Sequence, residues 1–539
     1  GPEPGKRIVP PEEVRKAVGP ELDSWILAAQ AERDSFLSKE AVQAASLEEI
    51  HGYAKKPLPM LNVWSQTDDG HKKCRSCIAG NFQALDPAAQ RWTAQAEPSS
   101  IFAAAKMAAL RGWLVSKLDV KGAFLNAPLP EGELILVQPP AQWVKWGIVP
   151  ENVVWKLNRA VYGLRQSPKW WADERDFHLK KMTWQVGNDI YYLEQNPADS
   201  QVWSIRRVGH PDELHGLLCV YVDDLLLLLN RGPVRDGFIQ ALTKLWEFGK
   251  EKVLDANTEF TFLGLDWIRK ADGGIYLVQE RFTRELLEKY QMTGCNPIGA
   301  IRMEKPTQED PPTAEVLREL QGYAGAFNWL ATRTRPDLSY YTSLLASSAS
   351  KYASWSRELA QKILRYLAGT AHQGLMLTAE GTEDDLRVYT DAGFAGAATQ
   401  SQNGLVICWG GSIITWRSSR AALSALSTAE AELCVAALGW QVTEGVRYFL
   451  STLQAYPKNV EVLIDNQAAL TAASLGATWR TRYYAVRASR LLEEGRLGRA
   501  SLKHCPTKQM VADAMTKLAT PDVIEVLIQA MEGRLPSAS

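Results

Sequence analysis

Two groups of aspartates in this sequence have the spacing and setting of a site for phosphoryl transfer. One is Asp119, in Leu118-Asp119-Val120, followed by Gly122-Ala123-Phe124-Leu125. The other is the pair Asp223-Asp224, after Tyr221-Val222 and inside an apolar run from Leu217 to Leu229. Adjacent carboxylates in an apolar strand must be paired, protonated or metal-bound. No Lys or Arg lies between Gly216 and Leu229 to neutralise them locally. A strand–turn–strand with the pair at its tip, beside a strand ending at Asp119, would gather three carboxylates. Such a set holds two Mg²⁺ roughly 3.5–4 Å apart, the arrangement for in-line displacement at phosphorus. An isolated Asp-Asp is more often a solvated turn, so the wider sequence has to decide.

A second acidic set lies toward the C-terminus: Asp391, Glu432, Asp465 and Asp513. Singly, each is more often a surface charge. Asp391 and Asp465 end alternating strands, and open α/β sheets place their sites at strand ends. Glu432 lies on a helix that Ser427 or Thr428 can cap, and Glu430 competes with it. Asp513 is expected on a late helix. Four carboxylates from separate elements again suit two metals, here with water as the nucleophile.

The elements that must position these groups are legible in outline. Trp25, Ala28, Ala29 and Phe36 fall near helical spacing. Residues from about 56 to 270 mix short strands with helices, and 275 to 375 are expected to be mostly helical. There Phe282, Leu286, Leu287 and Tyr290 mark one helix face, and Ile363, Leu364 and Leu367 another. From Leu386 the order is three strands, with Gly410-Gly411 as a hairpin turn, then a helix, a strand, helices, a strand and a helix, an α/β pattern.

With 539 residues, 46% hydrophobic and 22% charged, the chain has material for three or four domains of roughly 150 residues. The net charge of −1 argues weakly against a nucleic-acid partner. That objection fails if acids sit in metal sites and bases in stripes, and Trp479 to Lys503 holds seven Lys/Arg against two Asp/Glu. Seven scattered cysteines suit a reducing compartment, and the lone Cys74-x-x-Cys77 lacks the second pair that a zinc site needs. The apolar run at Leu217 to Leu229 is too short to cross a bilayer. Gly1-Pro2 without Met suggests a processed piece or a cloning scar.

Several strings, in order, resemble the reverse transcriptase and RNase H segment of copia-type LTR retrotransposon polyproteins. Lys117 to Asn126 is similar to the first palm motif, Leu157 to Pro168 to the nucleotide-binding motif, and Tyr221 to Asp224 to the catalytic turn. Phe262 to Leu265, Thr334 to Asp337 and Ile363 to Thr370 are similar to downstream markers. Tyr389 to Gly396, Ser427 to Leu433, Ile464 to Gln467 and Ala512 to Lys517 resemble the RNase H strings. The agreement runs from about residue 57 to 518.

The resemblance implies an α/β and α+β multidomain chain. It would comprise an N-terminal lead and helix (1–55), fingers and palm (56–272), a thumb and helical connection (273–380), an RNase H-like domain (381–525) and a C-terminal tail (526–539). It implies that Asp119 and Asp223 ligate metal and Asp224 completes the cluster, with Gln166 at the incoming nucleotide and Phe124 beneath its sugar. Lys73 and Arg75 would occupy the basic finger strand and touch the triphosphate, although Cys74 and Cys77 stand where the family usually has Ala or Val. Glu432 is preferred to Glu430 in the nuclease quartet. His504 matches a helper histidine, its alternative being a satisfied strand-end residue. Arg480, Arg482, Arg487 and Arg490 in the basic stripe would hold a hybrid, although Thr481 to Tyr484 departs from the family. The expected activity is RNA-directed DNA synthesis with cleavage of RNA in RNA–DNA hybrids. Its cofactor would be Mg²⁺, with Mn²⁺ as a substitute. The expected partners are RNA template, DNA primer and product, hybrid and dNTPs, with no membrane, and either a homodimer or association with other polyprotein products. Location would be intracellular, cytoplasmic or in virus-like particles, and not secreted. The alternative is a domesticated, inactive nucleic-acid-binding protein, against which the retention of all seven carboxylates speaks.

Overall fold

The computed structural model describes residues 6–83, 97–394, 401–422, 425–475 and 488–537. Its elements form four sheets with helices packed between them. In the first, Lys6–Val9 pairs with Leu58–Thr67, which also pairs with Lys72–Ile78, and Val42–Ala44 pairs with Trp155–Leu157. The described residues before 56 are therefore tied to this sheet through Lys6–Val9 and Val42–Ala44 and do not stand as a separate lead. Their helix Gly19–Ser38 buries Trp25, Ala28, Ala29 and Phe36, the spacing expected of it.

The second sheet has seven strands and carries the first acidic set. At its centre the hairpin Gly216–Tyr221 and Asp224–Leu229 pairs with Leu114–Asp119. The strands are buried on both faces, which is why Leu217 to Leu229 shows no alternation. Leu218, Val220, Leu225 and Leu227 pack with Trp171 of helix Ser167–Lys181 and Phe238 of helix Pro233–Leu245. Leu217, Cys219, Leu226 and Leu228 face helix Pro98–Arg111 and a core that continues into the C-terminal region.

The third sheet runs Phe260–Phe262, Leu265–Arg269, Ile275–Val278 and Gly374–Leu377. Four helices lie between its last two strands. A division at 272/273 falls in the turn of its central hairpin. The fourth sheet joins Asp385–Gly393, Gln402–Trp409 and Ser412–Arg420 as an antiparallel meander, with Gly410 and Gly411 both at positive φ in the turn. Asn459–Ile464 and Ser501–His504 add parallel strands on its other side. Helix Thr428–Thr452, capped by Ser427, packs across it.

Two expectations are corrected here. Asp513 lies on a five-residue 3-10 turn, Val511–Met515, and not on an α-helix. The last α-helix is Pro521–Met531, which starts where Pro521 supplies a favourable first position. That helix crosses the boundary expected at 525/526 and buries Leu527, Ala530 and Met531 together with Ile524, so the first residues assigned to the C-terminal tail are part of the core.

Candidate nucleotidyl-transfer and nuclease sites

The hairpin register puts Asp224 directly opposite Asp119, and Asp224 opposite Tyr221, so Val222 and Asp223 form the turn. Val222 has φ +55°, unfavourable for a β-branched residue. Buried partners hold it there. Trp171 Nε1 and Arg175 Nη1 both donate to the Val222 carbonyl, at 2.7 and 3.1 Å, and Val120 N donates to the Asp223 carbonyl at 2.9 Å. Arg175 is 1% exposed and also donates to Gln201. Trp171 and Arg175 are one helical turn apart, so a single helix face clamps the turn. These positioning residues were not anticipated.

Neither was Lys117. It is buried, and its Nζ lies 3.4 Å from Asp119 Oδ1 and 3.7 Å from Asp224 Oδ2 while donating to the Thr261 carbonyl. The counter-charge absent from the hairpin is therefore supplied by the neighbouring strand. Burial, then the hydrogen bond shared with Asp119, pushes the Asp224 carboxyl up to about 8. Burial would also raise Asp119, but the hydrogen bond from Asp224 and the charge of Lys117 outweigh it and hold that carboxyl low. Asp223 is raised, mainly by burial and also by the nearby Asp119.

Phe124 is 6% exposed on a 3-10 turn, Ala123–Asn126, with its ring 4.4 Å from that of Tyr162. The Arg75 guanidinium lies over the other ring of this pair, 4.5 Å from the Tyr162 centroid. Burial, then the charge of Asp223, raises the Tyr162 hydroxyl to about 12. Phe124, Tyr162, Arg75 and Asp223 thus share one neighbourhood. Strand Lys72–Ile78 reaches it through Ile78 N, which donates to the Tyr162 carbonyl at 2.7 Å. Gly163 permits this approach, because its φ is +97° and a Cβ there would stand 1.9 Å from the Ile78 oxygen. Lys73 is exposed on the same strand. Gln166 heads helix Ser167–Lys181 without a side-chain cap bond and accepts from Gln83 Nε2 at 2.6 Å. Cys74 is buried, Cys77 half-buried, and both are free thiols.

In the fourth sheet, carboxylate oxygens of Asp391, Glu432 and Asp465 all lie within 4.8 Å of one another, the one such trio among the described residues. Asp119, Asp223 and Asp224 do not form such a trio. Glu430 accepts from Leu426 N instead, which separates the two glutamates. Thr516 donates to Asp391, and Lys517 binds Asp513 at 2.5 Å. Burial, then Asp465 and Asp513, raises Asp391 to about 7 despite Thr516. Burial, then Asp391 and Asp465, raises Glu432 to about 9. His504 Nε2 lies 3.1 Å from the Asp465 carbonyl at the exposed end of its strand. Arg490 is engaged with Glu444 at 2.8 Å, and Arg480, Arg482 and Arg487 lie outside the described residues.

These raised carboxyls set a pH dependence. Glu432 stays protonated in the folded chain but ionises near its ordinary value of about 4.3 when unfolded. Folding then takes up a proton, so stability falls as pH rises from about 4 toward about 9. In chelator, the melting temperature should fall between pH 5 and 8, and Glu432→Gln should raise it at pH 8, on a scale of roughly 1 °C per kcal/mol for a chain of this length. A pH-independent melting temperature in the parent, measured calorimetrically, would contradict this.

Residues 53–305 match the family described as reverse transcriptase (RNA-dependent DNA polymerase). The chain is 26% identical over 428 residues to the retrovirus-related Pol polyprotein from transposon RE2 of Arabidopsis thaliana, covering 76% of this chain and 27% of that protein. It is 26% identical over 479 residues to the counterpart from transposon TNT 1-94 of Nicotiana tabacum, covering 85% and 34%. The chain thus spans about a third or less of these relatives. A foamy viral protease–reverse transcriptase in complex with double-stranded DNA superimposes over 89% of this chain and 69% of its own, with 15% identity and a TM-score of 0.46, too loose to argue from. No described helix is long and apolar enough to cross a membrane. Residues 53–305 thus match the reverse transcriptase family, and the chain is similar to Pol polyproteins of copia/Ty1-type transposons.

Proposed function

We propose that this chain copies RNA into DNA at Asp119, Asp223 and Asp224, and cleaves the RNA strand of RNA–DNA hybrids at Asp391, Glu432, Asp465 and Asp513. The observation that carries the first activity is the register that sets Asp224 against Asp119 beside a clamped Asp223 turn, within the reverse transcriptase match. The second is supported by the carboxylate trio on the fourth sheet. The match to the tobacco relative covers 85% of this chain and so must extend beyond residues 53–305.

The donor sets fit a hard divalent cation. They are all carboxylate oxygens, and Glu432 Oε2 is buried without a hydrogen-bond partner. Asp119 and Asp223 would hold Mg²⁺ or Mn²⁺ in one site, and the quartet would hold it in the other. Bound there, the cations would lower the pKa of the attacking hydroxyl or water and offset charge on the leaving oxygen. The chain's own part is preorganisation. Lys117 offsets the charge of Asp119 and Asp224, while Trp171 and Arg175 fix the turn. Arg75 and Lys73 would touch an incoming triphosphate, with Gln166 at the nucleotide and Phe124 beneath its sugar. His504 aids the nuclease from beside Asp465. Any hybrid contact of the Arg480 to Arg490 stripe is electrostatic.

Phe124 then discriminates between sugars. An extra 2′-oxygen against a ring already packed on Tyr162 costs roughly 1–3 kcal/mol. That is on the order of ten- to a hundredfold. Phe124→Val should raise the rNTP-to-dNTP efficiency ratio by that factor and keep dNTP incorporation at a reduced rate. Single-nucleotide incorporation decides, since an unchanged ratio would make Phe124 core packing only. The whole reading is tested by assaying Mg²⁺-dependent dNTP incorporation and hybrid cleavage on one preparation. A domesticated binding protein would show neither.

A further inference from the structure

Helix Gly19–Ser38 precedes the residues matched to the reverse transcriptase family, yet it touches both sides of the proposed nucleotide pocket. It packs along strand Lys72–Ile78, which carries Lys73 and Arg75. At one end Lys72 Nζ donates to Ser24 Oγ at 2.9 Å and lies 4.8 Å from the Trp25 ring centroid. At the other, Ser76 N donates to Glu32 Oε1 at 3.4 Å. The two spacings agree. Ser24 to Glu32 is about 12 Å of helix. Lys72 to Ser76 is about 13 Å of strand. Burial raises the Glu32 carboxyl, opposed by the bond from Ser76 and by the charges of Arg75, Lys73 and Lys39. The basic pair of the strand is thus within its electrostatic reach.

Two turns beyond Glu32, on the same face and about 10 Å along the axis, stands Lys39, the C-terminal cap of the helix. Its Nζ donates to the Lys121 carbonyl at 3.1 Å. It also stands against Gly122, where φ is +54° and a Cβ would lie 2.7 Å from the ammonium. Gly122 opens the 3-10 turn Ala123–Asn126, which carries Phe124. The next residues anchor the same end. Asn158 Nδ2 donates to the Glu40 carbonyl at 3.2 Å, and Asn158 N to the Ala41 carbonyl at 2.9 Å. One helix therefore holds the strand on the triphosphate side and the turn on the sugar side. Tyr162 closes the triangle between them, with Arg75 over its ring and Phe124 packed on it. A helix is a stiff spacer, because its own backbone hydrogen bonds fix its rise per residue.

We infer that helix Gly19–Ser38 is a strut that sets the width of the nucleotide pocket, with Glu32 and Lys39 as its positioning residues. The inference rests on the proposed function for what enters the pocket, and on these contacts alone for the strut. It makes sugar choice depend on a residue that precedes the matched segment. Without the Lys39 bond the turn shifts, and Phe124 no longer presses where a 2′-oxygen would lie.

Lys39→Met keeps the aliphatic stem and removes the donor. It should raise the rNTP-to-dNTP efficiency ratio by about fivefold to tenfold, the scale of one hydrogen bond from a charged group. Lys39→Arg, which keeps a charged donor, should stay near the parental ratio. On top of Phe124→Val, Lys39→Met should change the ratio by less than about twofold, because the ring that it positions is gone. Glu32→Leu should raise the dNTP KM about fivefold with kcat nearly unchanged. Glu32→Gln, whose amide oxygen can still accept from Ser76 N, should restore it. Amide hydrogen exchange without nucleotide should be faster over residues 121–126 in Lys39→Met than in the parent. A parental ratio or unchanged exchange in folded Lys39→Met would overturn the strut. So would an equal rise in the ratio with and without Phe124→Val, because the effect would then not pass through the ring. A parent chain that incorporates no dNTP would refute the proposed activity, and the exchange would still decide the strut.

Discussion

Asp223→Asn should abolish DNA synthesis, a loss on the order of a thousandfold or more, and leave hybrid cleavage near the parental rate. Asn keeps the size of Asp, and the turn is fixed through the Val222 and Asp223 carbonyls by Trp171, Arg175 and Val120. The substitution therefore removes charge and a hard oxygen without removing what shapes the hairpin. Asp223 is raised by burial in the parent, so losing the charge does not destabilise the fold. Asp391, Glu432, Asp465 and Asp513 lie at and around a different sheet, with Thr516 and Lys517 as their own supports. Primer extension and hybrid cleavage are measured on the same preparation, with a melting curve to establish folding. Loss of both activities in a folded Asp223→Asn protein would refute the separation of the two sites.

Asp465→Asn should produce the converse, with RNA cleavage reduced by at least about a hundredfold while primer extension continues. Asp465 is the least enclosed of the clustered trio, and it follows directly on strand Asn459–Ile464. Its backbone carbonyl, not its carboxylate, meets His504. The Asn variant keeps that contact, so its effect reports the carboxylate alone. Removing one like charge also relieves Asp391 and Glu432, both of which are raised partly by Asp465. The variant should therefore be at least as stable as the parent in chelator. Hybrid cleavage at the parental rate would remove Asp465 from the nuclease.

The elements that sequence patterning foresaw are those with local causes. The Gly410-Gly411 turn requires two positive φ values, which glycines supply. Ser427 caps its helix through Glu430 N, and the apolar face around Ile363, Leu364 and Leu367 is buried as its spacing implied. The site residues that were missed act over long sequence distances. Trp171 and Arg175 meet Val222 about fifty positions away, and no periodicity records a side chain bonding a distant carbonyl. Lys117 had a signal that a search confined to the hairpin overlooked. It is two residues before Asp119 on one strand, hence on the same face. The expected helix at Asp513 failed because Val511–Met515 is too short to close more than a 3-10 turn before Pro521 restarts the chain. The boundary at 525/526 failed because Leu527 and Met531, assigned to the C-terminal tail, pack into the shared core.

The most direct measurement is a paired assay of the parent chain and the two single variants on one RNA–DNA primer–template, with Mg²⁺ and with chelator. The account predicts that the parent both extends the primer and cleaves the RNA, and does so only with Mg²⁺. Asp223→Asn should lose only extension, and Asp465→Asn only cleavage. A folded parent that binds the duplex but neither extends nor cleaves it, with Mg²⁺ or Mn²⁺ present, would contradict the account.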